Sequence, residues 1–302
     1  MRKYTLVILA AGTGSRFGSL KQLSPLSKHH EAIIDFSVYD ALKAGFNEVI
    51  FIIRKEIEGQ FRSAFDHKLE KRISFSYVFQ DDHNIPERSK SHGRTKPWGT
   101  AHALLALNKF VDNPFLLING DDFYGRRNFE HAIDLIDDCY KAINIHHMIA
   151  FYLKNTLSEN GAVSRGECEL DSNQDLIKIT ERTKIQKKGS ELFYEENEKQ
   201  HLIDEANTPV SMNFWIFHPS IFPLLDIAWQ EFLRTNSNDL IEEFFIPSAI
   251  NSFIESGKVK VKVQFSSEKW FGITYKEDEI HARKKIEKMK ADGDYPNHLW
   301  AN

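Results

Sequence analysis

Cysteine is nearly missing: two occur in 302 residues, Cys139 and Cys168. They lie far apart and in no Cys-x-x-Cys or Cys/His ligand spacing, which excludes a disulfide framework and a zinc site and fits a reducing, cytoplasmic compartment. No apolar run reaches the roughly 18 residues of a membrane span. The short apolar stretch from Leu6 to Ala11 runs straight into a glycine-rich turn, unlike a signal peptide, so Met1 reads as the natural start. An excess of positive charge is also absent: the net charge is −4 with both signs mixed along the chain, so no broad basic face offers itself to nucleic acid or an anionic membrane. Any phosphate that is bound must be held locally. The 15 Gly and 9 Pro form no linker, and no internal repeat marks a domain boundary.

What is present is the composition of a folded enzyme, 41% apolar and 27% charged. Thr5 to Leu9 is a continuous apolar run, the pattern of a strand buried on both faces. Apolar spacing then predicts a helix over 34–46, a strand over 49–53, a helix over 56–71, a strand over 73–79, a helix over 99–110 and a strand over 114–118. This alternation predicts an α/β fold: a Rossmann-like, doubly wound, mainly parallel sheet with helices on both faces. Further on, a hairpin is expected from 162–170 and 176–181, turned at 171–173. The charged stretch 184–208 reads as a surface excursion. A strand over 209–217, helices over 219–233 and 239–256, a strand over 259–265 and a helix over 276–291 follow.

The first strand opens into Ala10-Ala11-Gly12-Thr13-Gly14-Ser15-Arg16-Phe17-Gly18, with Lys21 just behind. Glycines let a backbone approach a ligand closely while successive N–H groups converge on phosphate oxygens. Arg16 and Lys21 add fixed positive charge, useful where negative charge builds on a transferring phosphate. A dinucleotide-cofactor turn is the competing reading, with Arg54 as a reader of a ribose phosphate. Its spacing is wrong, because Pro25 and the irregular segment around Lys28 intervene before the helix and the second strand arrives too late. The strand over 114–118 ends in Asn119-Gly120-Asp121-Asp122. Carboxylates at the carboxyl end of a parallel strand sit where open α/β sheets bind ligands and are natural Mg²⁺ ligands. Gly99-Thr100-Ala101 opens a helix whose free N–H groups and small surface suit a flat base.

The run LAAGTGSRFGSLKQLSPL resembles the signature of the sugar-phosphate nucleotidyltransferases, with Gln22 to Ser24 inserted between the family's Lys and Pro. The resemblance implies that the chain transfers a nucleotidyl group from an NTP to a sugar 1-phosphate, forming an NDP-sugar and pyrophosphate with Mg²⁺. It implies roles for this chain's residues: Ala11, Gly12, Thr13 and Gly14 around the NTP phosphates, Arg16 and Lys21 as catalytic cations, and Asp121 on the metal. Gln80, Gly99 and Thr100 would frame the base. Asn160-Gly161-Ala162-Val163 and Ile179-Thr180-Glu181-Arg182 resemble the family's sugar-binding hairpin, so Gly161, Glu181, Arg182 and Asn213 are expected at the sugar. The whole chain, 1–302, is read as one nucleotidyltransferase domain, with a nucleotide-binding half over 1–125 and a sugar-phosphate half over 126–302. Trp270-Phe271-Gly272-Ile273-Thr274 resembles a late family motif but carries Gly272 where a second metal-binding Asp is expected. A nearby acid, Asp278 or Glu277, is the expected substitute, or Asp121 with water ligands suffices. That glycine keeps open a non-catalytic nucleotide-sugar-binding protein, and a non-sugar phosphate such as phosphocholine is an alternative acceptor. Nucleic acid and membrane are not expected partners, and a homo-oligomer is compatible with the sequence.

Overall fold

The computed structural model describes residues 2–12, 20–80, 97–158, 161–236, 242–273 and 276–301. Strand β1 (Thr5–Leu9) shows why its sequence has no polar face: Leu6 and Ile8 enter one hydrophobic core, and Val7 enters a second core across the sheet. Helix α1 (Ile33–Ala44) starts where the Asp35 carboxylate accepts the Ala32 N–H at 2.7 Å and stops at Gly45, whose φ of +109° suits a residue without Cβ. Next come β2 (Glu48–Ile53), α2 (Glu58–Leu69), β3 (Ser74–Phe79), α3 (Thr100–Leu105) and β4 (Phe115–Asn119). Strands β3, β2, β1 and β4 lie side by side and parallel, as the alternation of elements requires.

The second half is built differently. It contains β5 (Asp122–Phe123), α4 (Arg126–Cys139), β6 (Ile145–Tyr152), β7 (Val163–Leu170), β8 (Leu176–Lys188), β9 (Glu191–Glu196), β10 (Lys199–Ile203) and β11 (Pro209–Phe217). Then follow α5 (Ile221–Thr235), α6 (Ile246–Glu255), β12 (Lys260–Phe265), β13 (Phe271–Gly272) and α7 (Lys276–Ala291). Strand β11 runs antiparallel to β4, and from it β7, β8, β9 and β10 continue the sheet by hairpins. Strands β6 and β12 extend it from the other side, parallel to each other. Helices α1, α2 and α4 cover one core and α3, α5 and α6 the other. Among the described residues no helix is long and apolar enough to cross a membrane.

One expectation fails outright. The stretch 184–208 is no surface excursion: β8 runs on to Lys188, and β9 and β10 fold back on it. Ile185, Leu192 and Ile203 are buried on one face, while Lys184 pairs with Glu195 at 2.5 Å outside. Abundant charge concealed three strands that each bury one apolar residue in this stretch. The helix expected from 239 begins only at Ile246, because 242–245 are not helical and Phe245 is extended.

Candidate active site

Leu9 of β1 and Asn119 of β4 are paired neighbours, so the segments that follow them leave the sheet together at its carboxyl edge. Ala11 and Gly12 begin the first of these segments. The buried side chain of Gln22 holds it, its amide donating to the carbonyls of Ala10 at 3.0 Å and Gly12 at 3.4 Å. Thr13, Gly14 and Arg16 lie outside the described residues. Lys21 is ion-paired to Asp121. Both line a chamber of about 290 Å³ together with Gly12, Gln80, Gly99 and Thr100.

The wall of this chamber explains Gly99. Its φ is +99°, and a Cβ there would stand 2.4 Å from the Phe244 carbonyl oxygen, against backbone that cannot step aside. The same close approach alters one expectation, because the Ala101 N–H donates to Phe244 O at 2.9 Å and is not free for a base. The Thr100 hydroxyl accepts the Ile246 N–H at 3.1 Å, and the Gln80 amide donates to Gly99 O at 3.1 Å. These two side chains frame the chamber while bracing its own wall.

A second chamber, of about 380 Å³, shares Thr100, Asn119, Asp121 and Asn213 with the first. Asp121 therefore stands at the junction of two spaces. Asn213 reaches both because β11 bulges there, with φ +57° at Asn213 and a register shift between Ser211 and Trp215. Its amide donates to Asn119 Oδ1 at 3.3 Å and accepts from Trp215 Nε1 at 3.2 Å. Glu181 also faces this chamber. Its carboxyl opens into the cleft, yet the surrounding walls raise it above the ordinary carboxylate range against the opposing charge of Arg165.

The hairpin required two corrections. Gly161 is exposed and outside the chamber lining; the glycine directly opposite Glu181 in the β7–β8 ladder is Gly166, where a Cβ would press on Ile179 at 2.8 Å. A register shift between Glu169 and Leu170 intervenes, so counting back from the 171–175 turn would have put Arg165 opposite Glu181 instead. Arg182 is likewise outside the lining. It is held by Glu167 at 2.7 Å and Glu196 at 2.9 Å, over the Tyr194 ring. The cation that does line the chamber is Arg165, which sequence reasoning passed over; burial lowers its guanidinium to about 10 against the nearby charges of Asp122, Glu181 and Asp278.

The missing acid at 272 has a structural counterpart. Gly272 pairs with Asp122 across the β5–β13 ladder, and a Cβ on it would lie 2.6 Å from Asp122 Oδ1 and 2.6 Å from the Trp270 ring. The Asp122 carboxylate fills the space that a side chain at 272 would need. It is buried, accepts from Asn119 Nδ2 at 2.9 Å and lies 3.2 Å from the Tyr124 hydroxyl. Burial, reinforced by the charge of Asp121, pushes it up to about 7. Asp278 does not take the role expected of it. It opens α7 beside the Ser158 hydroxyl, 3.3 Å away, and lines a separate cavity of about 90 Å³ behind Arg165 and Trp270, away from the chambers of Asp121. Among the described residues no three Asp, Glu, His or Cys side chains converge on a metal position. The donor set of Asp121 and Asp122 still fits Mg²⁺, which commonly takes one or two carboxylates and completes its shell with water and substrate phosphate.

A family model described as nucleotidyl transferase matches residues 5–288. No curated protein matches the chain in sequence. Among solved structures, the inositol-1-phosphate CTP transferase of T. maritima is similar at 12% identity and a TM-score of 0.63, covering 95% of this chain and 96% of that one. A Bacillus anthracis protein assigned as a glucose-1-phosphate thymidylyltransferase gives 17% identity and 0.60, covering 93% and 94%. A UDP-glucose pyrophosphorylase complexed with UDP-glucose gives 16% and 0.59, covering 95% and 99%. At these identities the likeness is one of fold.

Proposed function

We propose, from the premise that the chain belongs to the nucleotidyl transferase family, that it joins the nucleotidyl group of an NTP to a sugar 1-phosphate, releasing pyrophosphate and an NDP-sugar. The observation that carries this reading is the meeting of two chambers at Asp121. One has Ala11, Gly12 and Lys21 and suits a nucleotide. The other, with Glu181, Ser211 and Asn213, offers hydrogen-bond partners to a hydroxylated ring. Similar folds carry names built on glucose 1-phosphate, inositol 1-phosphate and UDP-glucose, each with a polyhydroxylated six-membered ring next to a phosphate.

The acceptor phosphate is already an anion, so its oxygen attacks the α-phosphate with no general base. Bond formation at phosphorus expels pyrophosphate. What this chain supplies is position and charge: Lys21 lines the nucleotide chamber beside Gly12, whose backbone can approach the phosphates closely, and Arg16 is the second cation this reading calls on. Asp121, with Asp122 beside it, would hold Mg²⁺, which neutralises the triphosphate and orients it for in-line attack. Gln80 and Gly99 bound the base end of the nucleotide chamber. Gly166 leaves room beside Glu181 where Gly161 had been expected to.

The test is pyrophosphate release from a matrix of the common NTPs and dTTP against sugar 1-phosphates, with Mg²⁺ and with EDTA. One pair should turn over, only with metal, and Asp121→Ala should lower kcat by about a hundredfold or more. Metal-independent release, an unchanged Asp121→Ala, or silence across every pair would reject the proposal.

A further inference from the structure

The acceptor chamber is lined by three carboxylates, Asp121, Asp122 and Glu181, and among its described lining residues by one cation, Arg165. Asp121 is already ion-paired to Lys21, so within this chamber Arg165 is the charge, among the described lining residues, that attracts an anionic ligand. Arg165 is only 8% exposed. Its Nε donates to the Thr156 hydroxyl at 3.1 Å, Nη1 to the Ser164 carbonyl at 2.8 Å, and Nη2 to the Thr156 carbonyl, while its plane lies 4.7 Å from the Trp270 ring centroid. Every one of these partners is neutral. Among the described residues no carboxylate comes within ion-pairing distance of it, in contrast to Arg182, which is bonded to two.

A guanidinium carries five N–H donors, and three of these are used. One remains on each terminal nitrogen, the set that meets two oxygens of one phosphate. Burying a charge without a bonded counter-ion opposes folding. A chain that nevertheless orients such a group from two backbone carbonyls and a hydroxyl has a preorganised anion receptor, and the wall of the acceptor chamber is where it stands.

We infer that Arg165, and not Arg182, receives the phosphate of the acceptor, a phosphate monoester whose hydroxyls turn toward Glu181. The choice of ester rests on the transfer reading above; the anion site does not. The neutral cradle fixes the fork and leaves its charge for the ligand, so lysine, a point charge without the fork, is a poor replacement.

The test uses the whole chain and two probes, glucose 1-phosphate and inorganic phosphate, titrated calorimetrically into wild type, Arg165→Lys, Arg165→Gln and Arg182→Gln. Arg165→Gln should weaken both probes about 30-fold or more, and Arg165→Lys about tenfold. Arg182→Gln should match wild type. In steady state, the KM for the acceptor should rise in the Arg165 variants while the KM for the NTP stays put, a split that a merely structural arginine would not produce. If Arg165→Gln does not fold, Arg165→Lys carries the comparison. Wild-type affinity for both probes in the Arg165 variants, or an equal loss in Arg182→Gln, overturns the inference. Arg165-dependent phosphate binding without pyrophosphate release from any substrate pair would reject nucleotidyl transfer and leave the anion site standing.

Discussion

Gly272 and Asp122 face each other across a two-stranded ladder, and one carboxylate occupies the room for both. A resemblance read along the chain sees a lost acid at 272; the folded chain has an acid in that space, reaching over from β5. The exchange makes a residue-scale prediction. Gly272→Asp puts a second carboxylate against Asp122 and the Trp270 ring, combining overlap with like charge, and should cost about 2–4 kcal/mol in denaturant unfolding. Adding Asp122→Gly removes both causes, so the double variant should recover most of the loss and the cycle should show strong coupling. Additive losses would mean that the two positions do not compete for the same space.

At the scale of elements, the hairpin-built half separates what alternates from what is charged. Ile185 and Leu192 are buried on one face of the β8–β9 pair, whereas Lys184 and Glu195 meet outside it. Ile185→Ala should cost about 2–4 kcal/mol through the cavity it leaves. Lys184→Ala should cost less than about 1 kcal/mol, since exposed ion pairs contribute little. Urea unfolding of the two variants checks the ordering, and equal losses would contradict it. The same contrast explains how much was legible beforehand. Strands at 5–9, 49–53 and 114–118 were readable because burial on both faces leaves a nearly uninterrupted apolar run, and the strand at 209–217 because its apolar residues outweigh Ser211 and Asn213. Asp121 was picked out because it follows β4 closely and Lys21 because it stands in the quoted motif; the fold brings the two together as an ion pair. Strand β6 went unassigned although Met148 to Tyr152 is an unbroken apolar run; it starts through His146 and His147, both buried in the fold. Gly166 and Arg165 acquire their places only from the register of β7 on β8, which no local pattern prints. Gln22 looked like an interruption of a motif until its amide was seen to staple the turn.

At the scale of the whole molecule, three carboxylates of α1 and the turn before it hold the end of the chain. Glu31 accepts the Leu299 N–H at 2.6 Å, Asp35 the Trp300 indole N–H at 2.7 Å, and Asp40 the Tyr295 hydroxyl at 2.6 Å. Burial would raise Glu31, but Lys290, Ser27 and the Leu299 N–H together hold it below the ordinary range. Asp35 and Asp40 go the other way. Burial outweighs Lys68 at the first, and at the second it outweighs Tyr295 and Arg126, with Glu268 adding like charge, so that Asp40 is pushed up from 3.8 to about 7. A carboxyl raised in the folded state binds its proton more tightly there than in the unfolded chain. Its contribution is complete below about pH 4 and is lost as pH rises toward 7. Asp40 should therefore make the protein less stable at pH 8 than at pH 5, by an amount on the order of a few kcal/mol. Asp40→Asn keeps an acceptor for Tyr295 and cannot ionise. Its unfolding free energy, measured by urea denaturation from pH 5 to 8, should be flatter than that of wild type. If both proteins show the same slope, Asp40 titrates as an ordinary carboxylate and its bonds to Tyr295 and Arg126 outweigh its burial.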